Sequence, residues 1–121
     1  GQPLFVYDLG AEWVEMTGQP MVFAVWAVKN LVADAGDPAI FQASADYGLA
    51  HIDEIVEQEG VGRGYSPDVT RRYLTEHISY EFGATEQRSL ESFLRAAADL
   101  GLVEKMPELS YLEAAAVAEQ T

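Results

Sequence analysis

The chain has 121 residues, enough for one modest hydrophobic core, and hydrophobic residues make up 49% of it. It carries 20 acidic residues against seven basic ones, a formal net charge of −13. Such a surface repels phosphate backbones and anionic headgroups, so we expect neither nucleic acid nor a membrane as a partner. The absence of cysteine excludes disulfides and thiolate catalysis and fits a reducing cytoplasm.

The first 30 residues predict two strands with a short helix between them. Leu4–Tyr7 is a short apolar run typical of a strand. Ala11–Thr17 has helical character, with Gly18 where a C-cap glycine belongs and Pro20 blocking continuation. The uninterrupted run Met21–Val28 is too short to span a bilayer, which needs about 20 residues. It predicts a strand covered on both faces, as in the middle of an α/β sheet.

Residues 37–120 predict a succession of helices. Aspartate or serine followed by proline is a typical helix start, because the first side chain caps the helix and proline is tolerated at its first position. Glycine is typical of helix ends. The predicted stretches are Asp37-Pro38 to Glu59, Ser66-Pro67 to Gly83, Thr85 to Gly101 and Tyr111 to Gln120, with Gly60–Gly64 as a flexible link. Thr85 is the predicted cap of the third stretch.

The predicted strands need partners that this sequence does not contain. Two strands rarely form an independently stable sheet, and the edges of a fully apolar strand require pairing. We therefore expect the missing strands to come from an N-terminal part of the same protein or from another chain. Gly1–Asp8 has neither the basic region nor the long apolar stretch of a signal peptide, which favours a cytoplasmic location.

Two stretches of the sequence resemble a known family. Tyr7–Trp13 contains the pattern Asp-Leu-Gly-x-x-Trp, and Thr17–Ala27 continues through Thr-Gly-x-Pro into Val-Phe-Ala-x-Trp. Together they are similar to a signature of the chorismate dehydratases of the futalosine route to menaquinone. His77–Gly83 and Ser92–Leu102 resemble the C-terminal helices of that family. The resemblance covers most of the chain from Tyr7 to about Leu109.

The resemblance implies an α/β fold of the type II periplasmic-binding-protein class, with two lobes and the ligand in the cleft between them. Residues 1–121 would be the C-terminal, mostly helical portion with one or two strands: 1–30 the interlobe strand region and 37–120 the helical segment. These cytoplasmic enzymes remove water from chorismate to give 3-[(1-carboxyvinyl)oxy]benzoate without a metal or organic cofactor. The N-terminal substrate contacts of the family have no counterpart here, so the catalytic residues stay unknown and the chain alone is expected to be incomplete.

Three aromatic residues are the candidate substrate-binding residues. Phe23 and Trp26 lie on the predicted interlobe strand, where alternation places them on opposite faces, so at most one of them faces a given pocket. Core packing is the more common role for each of them. Trp13 either leans toward the cleft or anchors its helix, and anchoring is favoured. Asp8 and Thr17 are interpreted as caps of that helix.

Other polar residues are interpreted as structural. His77 lies on an apolar helix stripe, and His51 lies beside Ile52 and opposite the acidic pair Asp53-Glu54. Each is therefore expected to be a buried or half-buried structural histidine, and no spacing predicts a metal site. Gly60–Gly64 follows a helix and not a strand, which favours a hinge over a phosphate loop. Three clustered positive charges either attract a carboxylate or pair with surrounding acids: Arg63, Arg71 and Arg72.

Three alternatives to the dehydratase stay open. The sister enzyme of the same pathway, 1,4-dihydroxy-6-naphthoate synthase, has the same two-lobe fold, but the Phe-Ala-x-Trp strand favours the dehydratase. A non-catalytic solute-binding protein is disfavoured by the lack of a signal peptide. A stand-alone helical interaction module is disfavoured by the unpaired apolar strand.

Overall fold

The structure, a computed structural model, describes residues 1–28 and 38–112, and this part of the chain is mostly helical. The chain divides into two compact units. Unit 1 consists of Gly1–Val28 and Glu81–Ser110, and unit 2 of Lys29–Tyr80 and Tyr111–Thr121. The α-helices in chain order are α1 (Leu9–Thr17), α2 (Ala39–Ala50), α3 (Ile52–Ile55), α4 (Pro67–Arg72) and α5 (Ala84–Asp99). Among the described residues, no helix is both long and apolar enough to cross a membrane.

Helix α1 in unit 1 begins and ends at local capping residues. The Asp8 carboxylate accepts hydrogen bonds from the backbone N–H groups of Gly10 and Ala11, at 2.9 and 3.1 Å. Gly18 adopts the left-handed conformation with φ 68°, and its N–H donates to the Val14 carbonyl at 2.8 Å. The predicted caps are confirmed, and because Asp8 caps the first turn, the helix begins before the predicted start at position 11.

Helix α5 begins at a different residue from the predicted one. Gly83 is its N-cap, and the Glu86 carboxylate accepts a hydrogen bond from the Gly83 N–H at 2.9 Å. The prediction that Thr85 caps this helix is wrong, because Thr85 already lies inside the first turn. The prediction that Gly83 ends the preceding helix is also wrong, since that helical stretch ends at His77.

The end of α5 is confirmed at Gly101, which adopts φ 70°. The Gly101 N–H donates to the Ala98 carbonyl and the Leu102 N–H to the Ala97 carbonyl, both at 2.9 Å. This pair of bonds is the Schellman arrangement, which satisfies carbonyl groups that the helix itself leaves without donors.

Unit 2 winds helically for longer than the sequence predicts. After α2 and α3 the chain continues as a π-helical turn, Val56–Gly60, and a 3₁₀ turn, Val61–Arg63. The predicted flexible link is therefore wrong for its first residues, and only Gly64, with φ 79°, turns the chain away. Gly60 is buried, and a Cβ atom there would lie 2.5 Å from Thr70 Oγ1, so a glycine allows this close approach.

Helix α4 starts as predicted. The Ser66 hydroxyl accepts a hydrogen bond from the Val69 N–H at 3.3 Å, and Pro67 occupies the first helical position. The helix continues as a π-helical turn, Tyr73–His77, before Ile78 becomes extended. The predicted Asp37 cap and the predicted last helix beyond Leu112 lie outside the described residues.

The two predicted strands are not present among residues 1–28 and 38–112. Leu4–Tyr7 and Met21–Val28 have no regular secondary structure, and most of their side chains are exposed, Met21 and Val22 being half-buried. The physical reason is that a strand exists only when a neighbouring strand accepts and donates its backbone hydrogen bonds. A local apolar pattern indicates the preference for a strand, and the pairing has to be supplied from elsewhere.

Candidate functional site

The three predicted substrate-binding residues all lie in unit 1, and Trp13 is the one that the structure buries. It is 8% exposed, and its ring packs edge-to-face on Phe93 of α5 with the ring centroids 5.4 Å apart. The indole Nε1–H donates to the Ser89 hydroxyl at 3.0 Å. Trp13 therefore anchors α1 to α5, while its contact with a substrate stays a prediction.

Ser89 is the most buried polar side chain described, at 1% exposure, and it links two distant parts of unit 1. Its hydroxyl accepts from Trp13 Nε1 and donates to the backbone carbonyl of Pro20 at 2.6 Å. One hydroxyl thus satisfies a donor and an acceptor at the same time. A buried polar group without a partner costs about 1–3 kcal/mol, so loss of this single oxygen would leave two groups without their partner and lower the stability of unit 1.

Phe23 lies three residues after Pro20 and rests against α1. Its side chain is 77% exposed, yet its ring touches the helix at Gly10, where a Cβ atom would lie 2.6 Å from Phe23 Cζ. Only a residue without a side chain permits that approach. One edge of the ring is held by the helix backbone, and the rest of the ring is open to a ligand or to another segment.

Trp26 lies further along the same segment and is 80% exposed. The expectation that Phe23 and Trp26 pack in a core is wrong, because both side chains are mostly exposed, at 77% and 80%. Most of the surface of each ring is therefore accessible. Whether either ring contacts substrate stays a prediction.

The turn between α1 and this segment is held by its own polar groups. The Thr17 hydroxyl donates to the Trp13 carbonyl at 2.7 Å and accepts from the Gln19 N–H at 3.1 Å. Thr17 therefore has the predicted capping role. Gln19 Oε1 is buried and accepts no hydrogen bond from any residue that the structure describes.

The two histidines lie in unit 2 and contact tyrosines one helical turn before them. His51 is half-buried, its ring stacks on Tyr47 at 3.9 Å, and its Nδ1 lies 2.8 Å from the Tyr47 carbonyl oxygen. That contact requires a proton on Nδ1. The expectation of a buried or half-buried His77 is wrong, because its side chain is exposed beside Tyr73, with ring centroids 6.4 Å apart. No group of three potential metal ligands occurs among the described residues.

The clustered arginines are paired with acidic residues, one of the two predicted alternatives. Arg71 contacts the Asp53 carboxylate. Two further pairs join residues one helical turn apart, Arg63 with Glu59 at 3.1 Å and Arg72 with Glu76 at 3.5 Å. All three arginines are substantially exposed, so each pair contributes at most about 1 kcal/mol.

A comparison with protein families identifies what the chain is related to. A family model described as menaquinone biosynthesis matches residues 1–99. The chain belongs to this family. No solved structure matches the chain.

Membership in the menaquinone biosynthesis family confirms the broader part of the resemblance seen in the sequence. The matched region contains the whole of α1 to α5 and all three candidate aromatics. It also contains Ser89, which sequence reasoning missed. Its position four residues before Phe93 indicates that the two share a face of α5, but the packing of Trp13 on that face is seen only in the structure.

Proposed function

We propose that the chain is the C-terminal part of a chorismate dehydratase, a lyase that converts chorismate to 3-[(1-carboxyvinyl)oxy]benzoate in the futalosine route to menaquinone. The observation that carries the proposal is the menaquinone biosynthesis match over residues 1–99. The matched region includes the Asp8–Trp13 and Thr17–Trp26 stretches, whose motifs resemble the dehydratases. The type II periplasmic-binding-protein fold belongs to the same proposal.

The proposed chemistry removes one ring proton and the ring hydroxyl of chorismate as water. It requires a base for the proton and a group that assists loss of the hydroxyl, each within hydrogen-bond reach of the substrate. We assign neither to this chain and place them in the remaining part of the enzyme. No metal or organic cofactor belongs to the proposed reaction.

The proposed role of this chain is to offer apolar ring surface to the substrate ring. Phe23 and Trp26 are the exposed candidates on the segment after Pro20. Trp13 is connected to that segment through Ser89, which bonds the Pro20 carbonyl. The substrate is an anion, while the chain has a formal net charge of −13. The clustered arginines are already engaged by carboxylates. Donors for the substrate carboxylates are therefore proposed to come from outside this chain.

The proposed partner of the chain is the rest of the same enzyme, which supplies strands that pair with Leu4–Tyr7 and Met21–Val28. Both segments carry strand-forming sequences and lie exposed without a ladder in the described structure. Pairing would satisfy their backbone groups and cover their apolar side chains. The enzyme is proposed to act in the cytoplasm, as the dehydratases that it resembles do.

The decisive experiment incubates the complete protein with chorismate and follows the loss of substrate and the formation of the enolpyruvyl-benzoate product. Conversion supports the dehydratase. Saturable binding of chorismate without product identifies a solute-binding protein instead. If well-folded protein neither binds nor converts chorismate, the dehydratase is excluded. The next candidate is then 1,4-dihydroxy-6-naphthoate synthase.

Matched variants test which aromatic surface the substrate uses. Phe23→Ala and Trp26→Ala each remove an exposed ring from the proposed site, and we expect at least one of them to lower kcat/KM about tenfold or more. Met16→Ala removes an equally exposed apolar side chain from α1 and serves as the control. Unchanged kinetics in both aromatic variants would remove these residues from the substrate site.

A further inference from the structure

The starting observation is a buried polar connection across unit 1. Trp13 of α1, Ser89 of α5 and the Pro20 carbonyl are joined through one oxygen atom, although Ser89 lies 76 residues from Trp13 and 69 residues from Pro20 in sequence. The connection is shielded from water, because Ser89 is 1% exposed. A buried hydrogen bond of this kind fixes geometry more firmly than an exposed one.

The direction of each hydrogen bond in this connection is determined by chemistry. An indole N–H only donates and a carbonyl oxygen only accepts. The Ser89 hydroxyl must therefore accept from Trp13 and give its single proton to Pro20. Pro20 has a backbone φ restricted by its ring, so holding its carbonyl oxygen fixes the orientation of the peptide plane that leads into Met21.

The segment that follows Pro20 touches α1 at a second point. Phe23 rests on Gly10, which lies one helical turn before Trp13 on the same helix. The chain from Pro20 to Phe23 is thus fastened at both ends, at one end through the Ser89 hydroxyl and at the other by ring contact. Loss of the first of these two fastenings leaves the second, the ring contact at Gly10.

We propose that Ser89 is a positioning residue for substrate binding. By donating to the Pro20 carbonyl it sets the register of Pro20–Phe23 on α1, and it thereby orients the exposed ring of Phe23 that faces the substrate. The proposal rests on the proposed function in two respects, the naming of chorismate as the substrate and the placing of Phe23 at the substrate site. Ser89 itself contacts no reacting atom and acts through Phe23.

The kinetic test is a double-mutant cycle in the complete protein with chorismate as substrate. We expect Ser89→Ala to lower kcat/KM about tenfold, mainly through KM, because a ring that is no longer held binds substrate less well. In a Phe23→Ala background the same substitution should change kcat/KM by less than about twofold, since nothing remains to be positioned. A loss of equal size in both backgrounds would overturn the proposal, as would unchanged kinetics in the single variant.

The matched control is Ser92→Ala. Ser92 lies on the same helix three residues further, and its hydroxyl donates to the Arg88 carbonyl of its own helix at 2.9 Å. It should leave kcat/KM unchanged within about twofold, because no contact outside α5 is lost. If Ser89→Ala does not fold, Ser89→Cys keeps the volume and a weak donor and should show a smaller loss in the same direction.

A second measurement does not depend on activity and so separates this proposal from the proposed function. With 4-fluorophenylalanine at position 23 of the complete protein, Ser89→Ala should shift or broaden the fluorine resonance, and Ser92→Ala should not. An unchanged resonance in Ser89→Ala would overturn the positioning role. Failure of the wild-type protein to convert chorismate, together with a shifted resonance, would overturn the proposed function while leaving the positioning role standing.

Discussion

The contacts within unit 1 differ in kind from the contacts within unit 2. In unit 1 the buried Ser89 hydroxyl forms hydrogen bonds with groups that lie 69 and 76 residues away from it in sequence. In unit 2 side-chain hydrogen bonds form within single helices. The Thr70 hydroxyl donates to the Ser66 carbonyl and the Thr75 hydroxyl to the Arg71 carbonyl, each one helical turn earlier. Local bonds therefore account for much of the helical structure of unit 2, although Arg71 also pairs with Asp53 and Gly60 packs against Thr70. In unit 1 the buried connection through Ser89 depends on contacts that no short stretch of sequence encodes.

The largest expected effect tests whether Trp13 anchors unit 1. Replacing this buried residue with alanine removes the ring packing and the Nε1–H donor, and we expect a loss of about 3–5 kcal/mol in the free energy of unfolding. Urea denaturation of the complete protein measures it. Met16→Ala is the control, since this exposed side chain of α1 should cost no more than about 0.5 kcal/mol. Equal costs for Trp13→Ala and Met16→Ala would remove Trp13 as the anchor.

The next prediction concerns the exposed segment Met21–Val28. If strands elsewhere in the complete protein pair with it, its amide hydrogens should exchange about a thousandfold more slowly there than in the 121-residue chain. Hydrogen-exchange mass spectrometry resolves this segment. Amides of the capped helix α1 provide the internal control and should differ much less. Equally fast exchange of Met21–Val28 in both proteins would show that it is not a paired strand.

A third prediction distinguishes two glycines of unit 2. Gly60→Ala places a Cβ atom against Thr70, and we expect it to destabilise the chain by about 1–3 kcal/mol. Gly62→Ala meets no atom within 4 Å and should stabilise it by about 0.4–1 kcal/mol. Thermal unfolding measures both. Thr70→Ala combined with Gly60→Ala should recover part of the loss, and no recovery would place the clash elsewhere.

The smallest expected effect concerns the cap of α1. Asp8→Ala removes the acceptor for two backbone N–H groups and should cost about 1 kcal/mol, while Asp8→Asn should retain most of the stability. Circular dichroism during urea unfolding provides the values. A loss as large in Asp8→Asn as in Asp8→Ala would show that the negative charge near the helix start matters more than the hydrogen bonds.

Local signals predicted the ends of several helices and failed where the contacts are distant. The Asp8, Gly18, Ser66 and Gly101 positions follow from capping chemistry within four residues, and the structure confirms each. The predicted strands were wrong because a strand needs a pairing partner, and the sequence of a segment shows only its own preference for the strand conformation. The prediction that Gly60 belongs to a flexible link was wrong because Gly60 packs against Thr70, a contact that no local glycine pattern shows.

The candidate site divides in the same way. Trp13 was correctly interpreted as an anchor, since a lone tryptophan on a short helix most often supplies buried area. Ser89 was missed because a serine within a helix is ordinary by itself. Its importance arises only when folding brings Trp13 and Pro20 to the same hydroxyl.

The turn at Gly101 has a consequence for attaching probes to this protein. The family match ends at residue 99, where α5 ends, and the turn closes the last carbonyls with the backbone of Gly101 and Leu102 alone. A dye or surface linker placed after that turn leaves the helix end intact. Lys105 is exposed, and the sequence contains one other lysine, Lys29, so Lys29→Arg would leave Lys105 as the side-chain amine for immobilising the protein.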